Sequence, residues 1–312
     1  MILVYSKKDD PSSERICQKL SCRGIGNKAL FIDDYPFFSS NFSMIDNRIT
    51  SNFSRMNLSN VSAIYFRLLI FSSVPGLKMP NMYRDFLSRE LTSLFMGQLM
   101  TLNLKWVNNP FYAHMAGYKL AQLEQARKFG FSIPDTCIST DQDSLFDFYQ
   151  KKRKKGSELI TKAIHLGYVQ SDNSDEDEAI FTQGVVIDSI DDIPPNQPLL
   201  LQEKIKADYE IRCFVIGDKV LAAKIEFPDS YVDYREADIS LIKATPIILP
   251  QFASQACFHL TERFNLEYSA IDILCRNGEY FFIDFNSTGD WIWYEDNARL
   301  PISDAIVKLL AK

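Results

Sequence analysis

The first hundred residues alternate between short apolar runs of strand length and segments with helical spacing. Apolar runs at residues 1–5, 29–33 and 61–66 predict buried strands, and a helical pattern over 12–20 lies between the first two. This order of strand, helix and strand is typical of a small α/β domain. The opening carries no Gly-x-Gly-x-x-Gly motif, so a dinucleotide site is not predicted there.

Two longer helices and one ambiguous stretch follow. Residues 39–60 are rich in Ser and Asn and predict either irregular chain or short antiparallel strands. Apolar residues at helical spacing predict a helix over 83–102 and another over 114–129, and the second carries Lys119. Trp106-Val-Asn-Asn-Pro110 marks a boundary, because proline and the residue before it interrupt regular structure.

The middle of the chain combines two predicted strands with a basic run. Residues 158–162 predict a strand that ends in Lys162, and residues 199–205 predict a second one. Asp141 is a suitable N-cap for the helix before them. The basic run 151–155 is by default a solvated turn, with contact to a phosphate or an acidic peptide as the alternative.

A β-hairpin is predicted over residues 209–225, with its turn at Gly217-Asp218. Alternation puts Glu210 and Arg212 on one face and apolar residues on the other. An arginine in mid-strand indicates a bound anion, and a cross-strand salt bridge is the equally favoured alternative.

Near the C-terminus a second predicted hairpin surrounds Asn277-Gly278, a strong turn signal. Asp284 and Asn286 lie two residues apart in its second arm and therefore share a face. Together with Asp272 on the partner arm they offer hard oxygen ligands that suit Mg²⁺. The alternative is an ordinary hairpin with solvent-facing polar residues. The opposite face is predicted to take Phe281, Ile283 and Phe285.

The pairing register of this hairpin decides whether Asp272 joins the other two residues. A two-residue Asn-Gly turn would pair Asp272 with Ile283 and turn it away from Asp284. A three-residue loop over 276–278, with Gly278 in the left-handed conformation, would put all three side chains on one face. We predict the three-residue loop.

Composition narrows the function classes. The chain has 312 residues, 46% of them hydrophobic and 24% charged, as in an ordinary globular protein. Its net charge of −6 disfavours binding to nucleic acid, which needs a basic face. No membrane span or signal peptide is predicted, and six cysteines without a Cys-x-x-Cys pair suit a reducing cytoplasm. None of the three histidines lies in a recognisable nucleophile motif, which disfavours triad chemistry.

Taken together, these fragments resemble the ATP-grasp ligases over roughly residues 106–295. The Glu-Ile-Arg hairpin is similar to that of ribosomal-protein glutamate ligases, and the whole resembles the graspetide synthetases, the microviridin-type peptide macrocyclases, more closely. The fragments that carry the resemblance are Gln202-Glu203-Lys204-Ile205, Glu210-Ile-Arg212, Asp233-Tyr-Arg235, Asp272, Asp284-Phe-Asn286, Tyr65-Phe-Arg67, Trp106-Val-Asn-Asn-Pro110 and Asn286-Ser-Thr-Gly289-Asp-Trp291.

The resemblance implies an α/β (α+β) ATP-grasp fold with an N-terminal α/β pre-ATP-grasp domain. We expect that domain over residues 1–107, a central ATP-grasp subdomain over 108–198, and a C-terminal subdomain with the metal site over 199–312. The cofactors implied are ATP and Mg²⁺. The site implied comprises Lys119 and Lys162 for the phosphates, Gln202, Glu203, Lys204 and Ile205 for adenine, mainly through backbone groups, Glu210 for the ribose, Arg212 and Arg235 for the γ-phosphate and acyl-phosphate, and Asp272, Asp284 and Asn286 for Mg²⁺.

One position departs from the family pattern, since Asp284 stands where a Glu is usual. The shorter arm reaches less far, so the number of metal ions is left open.

The activity implied is ATP-dependent activation of Asp or Glu carboxylates in a ribosomal precursor peptide, followed by attack of a Thr or Ser hydroxyl or a Lys amine. The N-terminal domain and residues 229–237 would help to bind the leader segment. Related enzymes are often dimers, so a homodimer is expected. The rival is another ATP-grasp carboxylate–amine ligase that acts on an amino acid or a protein tail. A non-catalytic binding module is a third reading, which the full set of lysines, arginines and acids disfavours.

Overall fold

A computed structural model describes residues 1–32, 39–53, 56–67, 81–165, 168–170, 177–179, 182–228 and 238–312. The helices in these ranges are α1 Pro11–Cys22, α2 Asn81–Met100, α3 Pro110–Met115, α4 Lys119–Lys128, α5 Gln142–Lys154, α6 Gln251–Arg263, α7 Ile292–Ala298 and α8 Ile302–Leu310. The strands are β1 Ile2–Ser6, β2 Asn27–Phe31, β3 Ser40–Ile45, β4 Arg48–Phe53, β5 Met56–Asn57, β6 Ala63–Phe66, β7 Lys105–Val107, β8 Thr136–Ser139, β9 Leu159–Thr161, β10 Tyr168–Gln170, β11 Asp177–Ala179, β12 Gln183–Val185, β13 Leu199–Glu203, β14 Tyr209–Ile216, β15 Lys219–Glu226, β16 Lys243–Ile247, β17 Tyr268–Arg276 and β18 Glu279–Asn286.

The N-terminal strands form a parallel sheet of order β2-β1-β6-β7. Its two central strands, β1 and β6, are almost wholly apolar because helices cover both faces. Ile2 and Val4 pack into a cluster with α1 and α8, while Leu3 and Tyr5 pack into another with α2. The predicted strand–helix–strand opening is confirmed.

Residues 40–53 and 56–57 form three short antiparallel strands, in the order β3-β4-β5. Of the two alternatives for this Ser- and Asn-rich stretch, short antiparallel strands are therefore correct. The helix predicted over 83–102 is α2, which begins two residues earlier and ends two residues earlier. Within the described part of the chain, no helix is long and apolar enough to cross a membrane.

The helix predicted over 114–129 is wrong as a single element. The structure divides it into α3 and α4, with a break at Gly117. A Cβ at Gly117 would lie 2.9 Å from Cε1 of His165, so the chain turns where glycine allows this close approach. The break puts Lys119 at the first position of α4, rather than in mid-helix.

A central antiparallel sheet of order β12-β9-β13-β8 packs one face against α5. Asp141 caps α5 as predicted, since its carboxylate accepts a hydrogen bond from the Ser144 amide. The basic run 151–155 is mostly solvent-exposed, as predicted, but it is helical rather than a turn, because four of its five residues form the last turn of α5. Lys152 is buried there and forms salt bridges with Asp135 and Glu203.

The C-terminal antiparallel sheet has the order β16-β15-β14-β17-β18. Both faces are covered: Ile211, Cys213 and Val215 pack toward α6, while Phe214 and Ile216 pack toward α7 and α8. The predicted alternation along β14 is confirmed. β13, expected at the start of the C-terminal unit, pairs with β8 and β9 of the central sheet. The division into three domains stays a prediction.

Candidate active site

The hairpin of β17 and β18 turns through two residues, not three. Arg276 pairs with Glu279, and Asn277 and Gly278 between them have φ values of 53° and 78°. Positive φ at both central residues is the geometry that an Asn-Gly turn favours. The predicted three-residue loop is therefore wrong.

Asp272 nevertheless faces Asp284, for a different reason. The ladder pairs Ile273 with Phe282 but Asp272 with Asp284, so Ile283 is an extra residue in a β-bulge. The bulge shifts the pairing register by one residue, which is the shift that the predicted three-residue loop would have produced. Asn286 pairs with Ala270, two positions further along, so Asp272, Asp284 and Asn286 share one face as predicted.

The bulge also changes which aromatic residues enter the core. Phe282 and Phe285 are buried against α6, and Phe281 is buried as predicted, but on the opposite face. Ile283 is only partly buried and lies outside the α6 cluster. Ile283 was predicted as a core residue from strict alternation. The prediction fails because a bulge interrupts the two-residue period.

Each of the two carboxylates has a cationic partner. Nη1 of Arg212 lies 2.6 Å from Oδ1 of Asp272, its cross-strand neighbour, so the cross-strand salt bridge forms. Nζ of Lys119 lies 2.6 Å from Oδ1 of Asp284. Nδ2 of Asn286 lies 3.5 Å from the other oxygen of Asp284, a long and weak contact.

Lys162 approaches the same point from the central sheet. Its ammonium donates to the carbonyl oxygen of Ile283, the bulge residue, at 3.0 Å. Burial alone would raise the pKa of Asp284, but the charges of Lys119 and Lys162 outweigh it and lower that pKa to about 2. Asp284 is therefore ionised at neutral pH with two lysines beside it.

Asp272, Asp284 and Asn286 supply only part of the ligand set that a divalent cation needs. Within the ranges that the structure describes, no three acidic, histidine or cysteine side chains cluster as a metal site. The candidate set holds two carboxylates and one amide on a shared face, a hard oxygen donor set that suits Mg²⁺ when phosphate oxygens complete it. Their role as metal ligands stays a prediction.

The predicted adenine hinge lies at the end of β13. The backbone N–H groups of Glu203 and Lys204 are bound to the carbonyl oxygens of Asp135 and Glu158, both at 2.9 Å. These two donors are therefore not open to a base. The Glu203 carboxylate accepts from Lys152 at 2.7 Å, which fixes this end of the strand against α5.

Glu210 and Arg235 are the remaining residues of the predicted site. Glu210 lies on β14 opposite Leu274 and Ile225, on the face that carries Arg212. Arg235, together with the stretch 229–237, lies outside the described residues, so its role stays a prediction.

The structure also brings in polar residues that the sequence did not single out for the site. The buried Asn108 amide donates to the carbonyls of Tyr268 and Ser287 at 2.7 Å, and its oxygen accepts from the amides of Glu267 and Tyr268. It thus joins the start of β17 to the end of β18. The only signal in the sequence was the Asn-Asn-Pro boundary.

Gln122 of α4 has a similar supporting role. Its amide donates to the carbonyl oxygens of Ala116, at 2.6 Å, and Phe285, at 3.0 Å. Through it the helix that carries Lys119 is held against the strand that carries Asp284. No sequence pattern marked this residue, because one glutamine on a helix has no distinctive spacing.

The segment that follows β18 is held in place by a residue of the N-terminal sheet region. Arg67, which follows β6, donates to the Thr288 carbonyl at 2.8 Å and forms a 2.6 Å salt bridge with Asp290. A Cβ on Gly289 would lie 2.6 Å from Nη2 of Arg212. Glycine is therefore needed where this segment passes Arg212. Two surface cavities, one bordered by Asp141 and the other by the chain termini, lie away from these residues.

Comparison with known structures shows that the chain has the ATP-grasp fold. A crystal structure of the macrocyclase MdnC with the precursor peptide MdnA from Microcystis aeruginosa has a TM-score of 0.84 and 23% identity, over 100% of this chain and 99% of that one. The RiPP-associated ATP-grasp ligase of Chryseobacterium gregarium, solved with ADP and a leader and core peptide, has a TM-score of 0.82 and 20% identity, over 99% and 96%. The ATP-grasp ligase PsnB, solved with a minimal precursor, Mg and ADP, has a TM-score of 0.76 and 20% identity, over 99% and 97%.

Sequence comparison gives relatives that match a smaller part of the chain. A probable α-L-glutamate ligase of Stutzerimonas stutzeri is 25% identical over 206 residues, or 62% of this chain and 63% of the relative. The chain thus aligns with less than two thirds of that curated relative's length. No protein-family profile matches the chain. The resemblance to ATP-grasp ligases seen in the sequence is confirmed at the level of the fold.

Proposed function

We propose that this protein is an ATP-dependent, ADP-forming peptide macrocyclase of the graspetide type. It activates Asp or Glu side chains of a ribosomal precursor peptide, and a Thr or Ser hydroxyl or a Lys amine of the same peptide then closes the ring. Support comes from solved structures of the same fold, which include a macrocyclase bound to its precursor peptide and a ligase bound to ADP and peptide.

The observation that carries the proposal is the convergence of four charged groups from four elements. Asp272 and Asp284 are brought opposite each other by the bulge, Lys119 comes from α4, and Lys162 comes from the end of β9. Acids that can hold a cation, next to ammonium groups that can hold phosphates, are the arrangement that phosphoryl transfer needs.

The residues act by charge and position. Lys119 and Lys162 bind the phosphates of ATP, Arg212 and Arg235 face the transferring group, and Asp272, Asp284 and Asn286 hold Mg²⁺. When bound, Mg²⁺ neutralises phosphate charge during the transfer. Lys119 and Arg212 exchange the carboxylates of Asp284 and Asp272 for the phosphates of ATP. They then supply positive charge where negative charge develops during the transfer.

The chemistry proceeds in two displacements. A carboxylate oxygen of the peptide attacks the γ-phosphorus, the bond to ADP breaks, and an acyl-phosphate forms. The hydroxyl or amine then attacks the acyl carbon, the carbon–oxygen bond to phosphate breaks, and the nucleophile loses its proton. Activation is required because a carboxylate is a poor electrophile.

The same proposal implies a partner, an oligomeric state and a cellular compartment. The peptide is the partner, with a leader segment recognised apart from the reacting core. A homodimer is expected from the resemblance alone. The six cysteines are all free thiols in the structure, which suits a cytoplasmic protein.

The proposal is tested by coexpression with a precursor peptide encoded beside the gene, followed by mass spectrometry of the peptide. Each ring closed should remove one water from its mass. Asp284→Ala and Asn286→Ala should leave the peptide mass unchanged while circular dichroism shows an intact fold. Asp218→Ala, in the β14–β15 turn, should retain full activity.

A wild-type enzyme that hydrolyses ATP only with a free amino acid or a protein tail, and leaves the peptide mass unchanged, would replace this proposal with the carboxylate–amine ligase alternative. Full peptide modification by both the Asp284 and the Asn286 variants would refute the metal assignment.

A further inference from the structure

The proposed reaction needs a proton acceptor that the paired charges of the site do not supply. Ring closure releases a proton from the attacking hydroxyl or amine, and such a step is accelerated by a base within hydrogen-bond reach. The carboxylates of Asp272 and Asp284 each hold a cationic side chain, and the proposed function assigns both to Mg²⁺. Histidine is the side chain best suited to exchange a proton near neutral pH. The histidines of the chain are therefore the first candidates.

Two of the three histidines lie together near Lys119. The rings of His114, on α3, and His165, which follows β9, meet edge to face, with centroids 5.6 Å apart and an interplanar angle of 88°. The ring of Tyr118 stacks on His165, with centroids 5.8 Å apart and an interplanar angle of 15°. These two contacts orient the imidazole of His165, although the residue is exposed.

His165 lies where the two chain segments that carry the phosphate lysines meet. Lys162 precedes it by three residues and donates to the Ile283 carbonyl. Its backbone partner Gly117 precedes Lys119 by two residues, which span at most about 7 Å. Because the imidazole is exposed, a peptide side chain that approaches this end of the site from solvent can reach it.

One hydrogen bond determines which nitrogen of His165 is basic. Nδ1 lies 3.3 Å from the carbonyl oxygen of Gly117. A carbonyl oxygen can only accept, so Nδ1 carries the hydrogen, and in the neutral ring Nε2 has the free lone pair. The contact depends on glycine, because a Cβ at Gly117 would lie 2.9 Å from Cε1 of the ring. His165 thus presents a basic nitrogen on the side of the ring away from Gly117.

We propose that His165 is the general base of ring closure. Its Nε2 takes the proton that the attacking hydroxyl or lysine ammonium group must lose. The oxygen or nitrogen of that group bonds to the acyl carbon, the carbon–oxygen bond to phosphate breaks, and the imidazolium releases its proton to solvent. The inference rests on the proposed function and deepens it, because it assigns a residue to the second displacement and leaves acyl-phosphate formation independent of His165.

The two displacements can be measured separately with hydroxylamine. This neutral nucleophile traps an acyl-phosphate as a hydroxamate, which is one NH group heavier than the acid. A precursor peptide whose core Thr, Ser and Lys residues are replaced by alanine reports acyl-phosphate formation alone. The unaltered precursor, without hydroxylamine, reports ring closure through the loss of water. Mass spectrometry of the two peptides gives both rates.

His165→Gln should slow ring closure by roughly 100-fold, the loss expected when a general base is removed, and leave hydroxamate formation close to the wild-type rate. His165→Ala should regain part of its ring closure when free imidazole is added, with no change in hydroxamate formation. His259→Gln, the same exchange at an exposed histidine of α6, should leave both rates as in wild type.

Ring closure by His165→Gln at the wild-type rate would overturn the inference and leave the proposed function standing. An equal loss of ring closure and hydroxamate formation would also overturn it, because His165 would then act on the phosphates or on the fold. A wild-type enzyme that forms neither rings nor hydroxamate with ATP and the precursor would instead remove the proposed function itself.

Discussion

At the scale of single residues, the charged groups of the site are partners of one another. The sequence identified Arg212, Asp272 and Asp284 as candidates from residue type and spacing, and Lys119 from the family resemblance. It could not show that Lys119 binds Asp284 directly, since the two are far apart in the chain and lie on different elements. Lys152 was missed for a related reason, because a basic run looks alike whether its lysines are exposed or buried.

The lowered pKa of Asp284 gives a pH dependence that can be measured. Its folded pKa of about 2 lies below the ordinary carboxyl value, so the ionised form stabilises the fold above that ordinary value, and the gain is lost as pH falls toward 2. Asp284→Asn should therefore lower the free energy of unfolding at neutral pH. This loss should exceed the loss that the same substitution causes near pH 2 by about 2 kcal/mol. Urea denaturation at a series of pH values measures this difference.

Asp218→Asn, in the exposed turn after β14, serves as the control for removing one carboxylate. A difference between Asp284→Asn and wild type that stays constant from neutral to acid pH would show that Lys119 and Lys162 do not stabilise the charge of Asp284.

At the scale of elements, strand and helix positions were well predicted, and interruptions within them were not. Periodicity found β14, β15, β17 and β18 because alternation over eight or nine residues is a strong signal. A one-residue bulge leaves almost no trace in such a pattern. The prediction placed the extra residue in the turn, whereas it lies at Ile283, so the correct face for Asp272 was reached for the wrong reason.

The turn makes a clear prediction for Gly278. Its φ of 78° is strained for any residue with a Cβ, although no other atom lies within 4 Å of the position where a Cβ would be. Gly278→Ala should therefore cost about 1 kcal/mol in the free energy of unfolding, through backbone strain alone. Chemical denaturation measures the change.

Gly26→Ala is the matched control, because that glycine also has open space around it and lacks a positive φ. Its effect should stay within about 0.5 kcal/mol of zero. An equal cost at both glycines would mean that the turn does not depend on the left-handed conformation.

At the scale of the whole molecule, the fold class was predictable, whereas the side-chain contacts that join distant elements were not. The order of motifs indicated an ATP-grasp fold, and solved structures confirm it with TM-scores up to 0.84. The contacts of Asn108, Gln122 and Arg67 join distant elements to β17 and β18. They arise only after the chain has folded, so no local pattern encodes them.

Asn108 should be among the more costly residues to replace. Asn108→Ala would leave two buried carbonyls and two backbone amides without a partner, so we expect a loss of about 3 kcal/mol in the free energy of unfolding. Asn109→Ala removes only the N-cap of α3 and should cost about 1 kcal/mol. Equal losses for these neighbouring variants in urea denaturation would refute the bridging role of Asn108.

The ion pairs within the site have a consequence for what the protein can sense. Lys119 and Arg212 are tethered counter-ions, so a free divalent ion must compete with them for the carboxylates, and a metal-free nucleotide must detach them from those carboxylates. Neither component alone gains the full electrostatic attraction. On the proposed function, a metal–nucleotide complex would let cations and anions exchange partners together, so that the local charge stays balanced. Mg–ATP should therefore bind more tightly than either component alone.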